Sequence, residues 1–133
     1  VGGPLGIGPY AGRRAQVFEH WQAGIRAVAA CANVVVKLGG LAMPVNGFGW
    51  HRQAAPPGSA QLQTAFAPYF HFCIEQFGPE RCVFESNFPV DRASCAYPVL
   101  WNAFKRIAAR YSQAQQDAML HDNALALYAL EAV

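Results

Sequence analysis

The sequence predicts an α/β fold in which two parallel strands are connected through a helix. Two short runs rich in β-branched and aromatic residues, near 33–38 and 81–85, have the length of buried strands. More than forty residues that contain a predicted helix separate them, which is the spacing of a parallel crossover connection. Because two strands alone make an unstable sheet, we expect residues 1–133 to be the C-terminal segment of a larger barrel or layered sheet.

Five helices are expected around these strands, near 13–31, 60–77, 97–111, 112–120 and 123–131. Apolar residues recur every three or four positions in the three longer ones, as on the buried face of a helix. Ser112 followed by Gln115 forms a capping-box pattern that predicts the start of the fourth helix. Asp122 or Asn123 is expected to cap the start of the last one.

The composition narrows the classes of partner. The net charge is only +2, and Lys and Arg are scattered, which argues against nucleic-acid binding. No apolar run reaches the ~18–20 residues that cross a bilayer, so a membrane partner is not expected. Charged residues make up 14%, below the roughly one quarter usual for soluble domains, so we expect some apolar surface to be covered, as in a homo-oligomer. Four widely spaced cysteines without a disulfide pattern predict a reduced, cytoplasmic protein.

The end of the second strand carries the strongest indication of chemistry. An apolar strand there runs directly into a polar turn, which is how α/β proteins place reactive side chains at the carboxyl edge of a sheet. The candidate catalytic residues are Glu85, Asn87 and Asp91. Asn87 is interpreted either as a hydrogen-bonding group of the site or as a turn-forming residue before Phe88 and a proline. Asp91 is interpreted as an acid, as a substrate contact or as a cap for the following segment.

The alternation of side chains along a strand predicts an ion pair below this edge. Glu85 and Asn87 face the same way, and Lys37 and Gly39 share a face of the neighbouring strand. Because an isolated buried charge is costly, we expect Lys37 and Glu85 to form an internal pair beneath the site. Glu85 then either takes part in the reaction or has a structural role only.

The candidates for substrate binding are Lys37, Trp50, His51 and Arg92. Trp50 and His51 lie in the long segment after the first strand, and long segments of this kind in compact domains are usually functional or disordered. An aromatic wall beside a titratable group suits a pocket for an organic acid or a lactone. Arg92 is interpreted either as a clamp for a substrate carboxylate or as an exposed loop residue. The spacing of the histidines and cysteines indicates no metal-binding set within the chain.

Three segments resemble the amidohydrolase family of TIM-barrel enzymes, in the branch of metal-dependent hydrolases that includes lactonases and dicarboxylate-lactone hydrolases. NVVVKLGGL at 33–41 is similar to the seventh barrel strand, and GPERCVFESNFPVD at 78–91 is similar to the eighth. HDNALALYAL at 121–130 resembles the closing helix. The resemblance covers nearly the whole chain. It implies the C-terminal part of a (β/α)8 TIM barrel, with about two parallel strands and flanking helices, as an incomplete barrel.

The resemblance also implies a function. It implies hydrolysis of a small organic ester, lactone or amide by attack of water on a carbonyl, with a carbon–carbon lyase such as a decarboxylase as the alternative. A catalytically inactive barrel segment that serves in binding or assembly is the third possibility. In the family the eighth strand usually ends in an acid at the position where this sequence has Asn87. A divalent metal, zinc or manganese, is implied for the complete enzyme, with most ligands on strands outside this chain.

Overall fold

Two short parallel strands lie side by side in the computed structural model, which describes residues 3–130. Strand β1 is Val36–Leu38 and strand β2 is Cys82–Phe84. The ladder places Val36 opposite Cys82 and Leu38 opposite Phe84. Helix α2, Ser59–Phe77, lies between the strands in the chain, so the predicted strand–helix–strand arrangement with parallel strands is confirmed.

The remaining helices are α1 (Arg14–Ala29), α3 (Tyr97–Ala108), α4 (Gln113–Asp117) and α5 (Asn123–Tyr128). A π-helical turn, Ala118–Asp122, joins α4 to α5. Residue 131, the end of the last predicted helix, lies outside the described residues. Between residues 3 and 130, no helix is both long and apolar enough to cross a bilayer.

The two expected helix caps have different outcomes. Ser112 Oγ accepts a hydrogen bond from the Gln115 N–H, and the Gln115 side chain accepts one from the Ser112 N–H, so the capping box is confirmed. The cap expected at Asp122 or Asn123 is wrong, because the backbone stays helical through both residues. Asn123 instead donates from Nδ2 to two backbone carbonyls beside the start of β2, both at 2.8 Å. It thereby holds the last helix against the second strand.

The two faces of the sheet have different surroundings. One face packs against the helices in a buried apolar core and carries Val36, Leu38, Cys82 and Phe84. Phenylalanine rings of α2 and α3 fill this core. Because side chains alternate along a strand, the opposite face carries Lys37, Val83 and Glu85. Lys37 and Glu85, two of the residues predicted for the site, therefore lie on the face that turns away from the helices.

Strand β1 begins later than the β-branched run predicts. The run starts near residue 33, whereas the ladder starts at Val36. A 3-10 turn, Pro79–Arg81, precedes β2, so β1 has a partner only from Val36 onward. The length of β1 is therefore set by its neighbour, and the run itself does not indicate this.

Arg81 anchors the edge from which both strands start. Its guanidinium donates to the carbonyl oxygen of Phe77 at the end of α2, at 2.9 Å, and to that of Ala29 at the end of α1, at 3.1 Å. It also donates to the carbonyls of Cys31 and Val34, at 3.0 and 3.3 Å, in the segment that leads into β1. A cation at the carboxyl ends of two helices matches the negative ends of their dipoles. One side chain thus connects two helix ends with the start of the sheet.

A histidine–tyrosine contact connects α2 to the segment after α3. His71 Nδ1 and Tyr111 Oη lie 2.7 Å apart. Burial lowers the pKa of His71, the charge of Arg110 adds to this effect, and Glu75 acts in the opposite direction. Burial also raises the pKa of Tyr111 to about 12. The folded chain therefore favours the neutral forms of both groups.

Candidate functional site

The carboxyl ends of β1 and β2 bring Lys37 and Glu85 together. Lys37 Nζ lies 3.6 Å from Glu85 Oε2, so the two predicted partners form an ion pair. Their side chains are 50% and 28% exposed within the described part of the chain. The pair extends from the face of the sheet that turns away from the helices, as the alternation of side chains predicts. A carboxylate that is held in place is able to accept a proton from a group within hydrogen-bond reach.

Gly39 makes room for Glu85. A Cβ atom at residue 39 would collide with the Glu85 backbone oxygen and would lie 2.6 Å from Glu85 Cγ. The Glu85 N–H donates to the Leu38 carbonyl at 3.2 Å, which holds the two strand ends in this close approach. Gly39 is therefore needed for the space that it leaves beside the site.

Asn87 turns the chain and also makes a specific hydrogen bond. Its φ of 53° lies in the left-handed region, which Asn tolerates better than most residues. Its Nδ2 donates to Asp91 Oδ1 at 2.8 Å. Gly40 lies alongside, since a Cβ atom there would be 3.6 Å from Asn87 Nδ2. The two interpretations of Asn87 are thus compatible, because a turn residue here presents an oriented amide.

Asp91 is almost fully buried, with 1% of its surface exposed. It lies in a 3-10 turn, Val90–Ala93, rather than in an open loop. Burial raises the pKa of its carboxyl group, the hydrogen bond from Asn87 opposes this rise, and the charge of Glu85 adds to it. Oδ2 has no hydrogen-bond partner among residues 3–130. Asp91 does not cap the following helix, since Ala96 takes the N-cap position of α3.

Trp50, His51 and Arg92 line one cavity of about 340 Å³ beside the Asp91 turn. Trp50 is buried, and its ring stacks on Phe48 with centroids 4.5 Å apart. His51 and Arg92 are exposed. Three of the four residues predicted to bind substrate therefore share a cavity, and Lys37 is not part of its lining. The rest of the lining consists of Gln53, Pro56 and residues 93–96.

Ser94 and Cys95 line the same cavity, although their sequence context indicates no nucleophile. Their backbone N–H groups donate to the Asp91 carbonyl at 3.0 and 3.2 Å, and Ser94 Oγ donates to the Ala42 carbonyl at 2.6 Å. Burial raises the pKa of Cys95 to about 11, with the Asp91 charge adding to the rise, so the thiol stays protonated near neutral pH. The sequence contains no signal for their position, because the 3-10 turn alone brings them to the cavity wall.

The described residues do not form a metal site by themselves. Within residues 3–130, no group of three or more His, Cys, Asp or Glu side chains lies close enough to hold a metal ion. The unpartnered Asp91 Oδ2 is a suitable ligand atom for a hard cation, but one ligand atom does not make a site.

Similarity to known proteins identifies the family. A family model described as Amidohydrolase matches residues 5–130, which is nearly the whole chain. The chain belongs to the amidohydrolase family. The family resemblance seen in the strand segments is thereby confirmed.

Two crystal structures of an amidohydrolase from Burkholderia multivorans resemble this amidohydrolase chain. One of them, with bound zinc, has a TM-score of 0.74 at 28% identity, over 87% of this chain and 39% of that protein. The other, with bound HEPES, has a TM-score of 0.77 at 28% identity, over 90% of this chain and 40% of that protein. The fold is therefore that of part of a TIM barrel, with β1 and β2 as neighbouring strands.

Two curated proteins are also similar to the amidohydrolase chain. An uncharacterised protein, y4mH, from Sinorhizobium fredii is 34% identical over 111 residues, which are 84% of this chain and 33% of that protein. An L-fucono-1,5-lactonase from Burkholderia multivorans is 29% identical over 112 residues, which are 84% of this chain and 36% of that protein. The chain thus spans about a third of the length of the curated relatives that it matches.

Proposed function

We propose that this amidohydrolase chain supplies one side of the active site of a hydrolase that acts on a small organic ester, lactone or amide. The observation that carries the proposal is the Lys37–Glu85 pair beside the Asn87–Asp91 pair, at the carboxyl ends of two parallel strands. Reactive groups of parallel α/β folds lie at this edge. The similarity to an L-fucono-1,5-lactonase supports a cyclic ester as the first substrate class to test.

Glu85 is the proposed proton acceptor. Its carboxylate stands on the strand face that turns away from the helices, and Lys37 Nζ lies 3.6 Å from its Oε2. Water that attacks a carbonyl carbon must lose a proton, and a carboxylate within hydrogen-bond reach is able to take it. The Lys37 ammonium group has the charge that favours the negative oxygen formed in this step. Lys37 is therefore assigned to substrate binding and Glu85 to catalysis.

Asp91 is the proposed positioning residue for Asn87. Because Asn87 Nδ2 donates to Asp91 Oδ1, the amide oxygen is left to accept a hydrogen bond from substrate or water. Asp91 itself is buried, so it acts through Asn87. An amide is a poor proton acceptor near neutral pH, which is why proton transfer is assigned to Glu85.

The neighbouring cavity is the proposed place for the rest of the substrate. Trp50, His51 and Arg92 form its wall. Ligands for a divalent metal, zinc or manganese, are proposed to lie outside residues 3–130, which hold no ligand set of their own. The zinc in the related crystal structure supports adding zinc first when the activity is measured.

Glu85→Gln tests the assignment of the proton acceptor. The protein encoded by the longest open reading frame that contains the chain is assayed on γ- and δ-lactones, simple esters and amides. Circular dichroism checks that each variant is folded. We expect kcat to fall by about 10²-fold or more, since proton transfer by a side chain contributes ~10²–10⁴-fold. Glu80→Gln is the matched control, because Glu80 is an exposed acid in the turn before β2 and should leave kcat unchanged. Unchanged kcat in Glu85→Gln, or loss of folding, would assign Glu85 a structural role.

Assays of the same protein also distinguish the two alternative functions, a carbon–carbon lyase and a catalytically inactive segment. Release of carbon dioxide from a carboxylated substrate, without ester or lactone hydrolysis, would identify a carbon–carbon lyase. A folded product without turnover of any of these substrates would identify a segment for binding or assembly. The last result is the one we expect for the 133 residues expressed alone, because they span about a third of the length of the curated relatives.

A further inference from the structure

We propose that Ser94 is a positioning residue, whose hydroxyl group joins the segment after β1 to the turn after β2 and thereby sets the orientation of the Asn87 amide. The effect of Ser94 on turnover rests on the proposed hydrolytic function, to which it adds a residue. Ser94 is 4% exposed, and its Oγ donates to the Ala42 carbonyl at 2.6 Å. Because these two residues lie 52 positions apart in the chain, this one buried bond connects the two segments that follow the strands.

Ala42 connects Ser94 with Asp91. Burial raises the pKa of the Asp91 carboxyl group, and hydrogen bonds from the Asn87 side chain and the Ala42 backbone oppose this rise. The N–H of Ala42 therefore donates to the Asp91 carboxyl group, while its carbonyl accepts from Ser94. Asp91 Oδ1 in turn accepts from Asn87 Nδ2 at 2.8 Å. A shift of Ala42 thus moves the carboxyl group that orients the Asn87 amide.

Asn46 holds the segment after β1 at a second point. Asn46 is 1% exposed, and its Nδ2 donates to the Gly40 carbonyl at 2.8 Å. Gly40 borders Asn87, since a Cβ atom at residue 40 would lie 3.6 Å from Asn87 Nδ2. Asn87 therefore lies beside the held segment and is also connected to it through Asp91.

The backbone fixes Ser94 relative to Asp91. The Ser94 N–H donates to the Asp91 carbonyl at 3.0 Å, so the hydroxyl group is presented from a closed turn. Alanine at residue 94 would keep this backbone bond and would leave the buried Ala42 carbonyl without its hydroxyl donor. The Ser94 hydroxyl is therefore a single group whose removal loosens the connection between the two segments.

A double-mutant cycle between residues 94 and 87 tests the proposal. Ser94→Ala, Asn87→Gly and the double variant are made in the protein encoded by the longest open reading frame that contains the chain. Glycine removes the amide and accepts the φ of 53° at residue 87. Ser94→Ala should lower kcat about tenfold in the parent, since misplacement of a group by about 1 Å can cost ~10²-fold. In the Asn87→Gly background the same change should lower kcat less than about twofold, because the group that Ser94 positions is absent.

Two further variants separate the hydroxyl group from packing. Ser94→Thr keeps the hydroxyl group and should hold kcat within about threefold of the parent. Ser59→Ala is the matched control, because Ser59 is the first residue of α2, lies outside the cavity lining and should leave kcat unchanged. Circular dichroism checks folding, and Ser94→Cys, whose thiol is a weaker donor, replaces Ser94→Ala in the cycle if that variant does not fold.

Urea unfolding of the same four proteins separates failure of this proposal from failure of the hydrolase proposal. If no lactone, ester or amide is hydrolysed but the shifts in the urea midpoint of the two single variants do not add in the double variant, Ser94 positions Asn87 and the hydrolase proposal fails. If a substrate is hydrolysed and Ser94→Ala lowers kcat by the same factor in both backgrounds or in neither, positioning is overturned and hydrolysis stands. A Ser94→Thr variant as slow as Ser94→Ala also overturns positioning by the hydroxyl group. Absence of turnover together with additive midpoint shifts overturns both proposals.

Discussion

Replacement of Arg81 by Met should strongly destabilise the protein. Methionine keeps an apolar stem and removes every N–H donor, so four backbone carbonyls at 2.9, 3.0, 3.1 and 3.3 Å lose their partner. A hydrogen bond contributes about 1 kcal/mol net, and bonds to charged groups contribute somewhat more. With the longest bond counted as weak, the expected loss is about 3–4 kcal/mol. That loss corresponds to a roughly 10²- to 10³-fold decrease in the ratio of folded to unfolded protein.

Arg81→Lys separates the effect of charge from that of geometry. A lysine keeps a cation near the carboxyl ends of α1 and α2, and this dipole term is worth about 0.3–1 kcal/mol. Its single ammonium group lacks the planar fork that reaches carbonyls in several directions. We therefore expect Arg81→Lys to lose about 2 kcal/mol, which lies between the parent and Arg81→Met.

These differences in the free energy of unfolding are measured by urea unfolding of the protein encoded by the longest open reading frame that contains the chain. Tryptophan fluorescence and circular dichroism are the two signals. Arg106→Met on the exposed side of α3 is the control, and its free energy of unfolding should stay within about 0.5 kcal/mol of the parent. If Arg81→Met were as stable as Arg106→Met, these four hydrogen bonds would not be the anchor of the strands, and the reasoning would be refuted.

Three further predictions concern the site and its surroundings. Gly39→Ala should lose about 1–3 kcal/mol of unfolding free energy, because its Cβ would meet the backbone oxygen of Glu85. Gly24→Ala in α1, where the added Cβ meets open space, should instead gain roughly 0.5–1 kcal/mol. Asp91→Asn should flatten the decline of stability with rising pH, because folding raises the pKa of the Asp91 carboxyl group. The contribution of Asp91 to stability is complete below its usual pKa of 3.8 and is lost as the pH rises through its folded-state pKa. His71→Gln should reduce the loss of stability on acidification, because folding lowers the pKa of the His71 ring. The contribution of His71 to stability is complete above its usual pKa of 6.5 and is lost as the pH falls through its folded-state pKa.

Urea unfolding at about pH 4, 5.5 and 7.5 checks these three predictions together. Equal stabilities of the Gly39→Ala and Gly24→Ala variants would contradict the steric role of Gly39. A pH profile of Asp91→Asn or His71→Gln that runs parallel to that of the parent would contradict the corresponding direction of the pKa shift.

Features that depend on neighbouring residues in the chain could be predicted from the sequence. The β-branched run before Gly39 and the apolar run before Glu85 predict the two strands, and the structure contains both. Ser112 and Gln115 predict a capping box for the same reason, because a helix start is a property of four consecutive residues. The alternation of side chains also places Lys37 and Glu85 on one face, where they pair.

Features that depend on distant segments could not be predicted. The carbonyl of Ala29 lies 52 positions from the Arg81 side chain that binds it, and no local pattern indicates such a contact. The start of β1 follows from where β2 begins, and Asn123 binds carbonyls beside that strand instead of capping a helix. In each case the competing contact comes from tertiary packing, which overrides the local preference of the residue.

The sequence by itself determined the α/β class, the order of the elements and the side chains that stand at the carboxyl edge of the two strands, because hydrophobic period and turn chemistry are local. Only the tertiary structure decided that Asp91 is buried and bonded to Asn87, and that Trp50, His51 and Arg92 share a cavity. Burial, pKa and pairing depend on the density and charge that other segments bring to a residue, and those are properties of the folded chain.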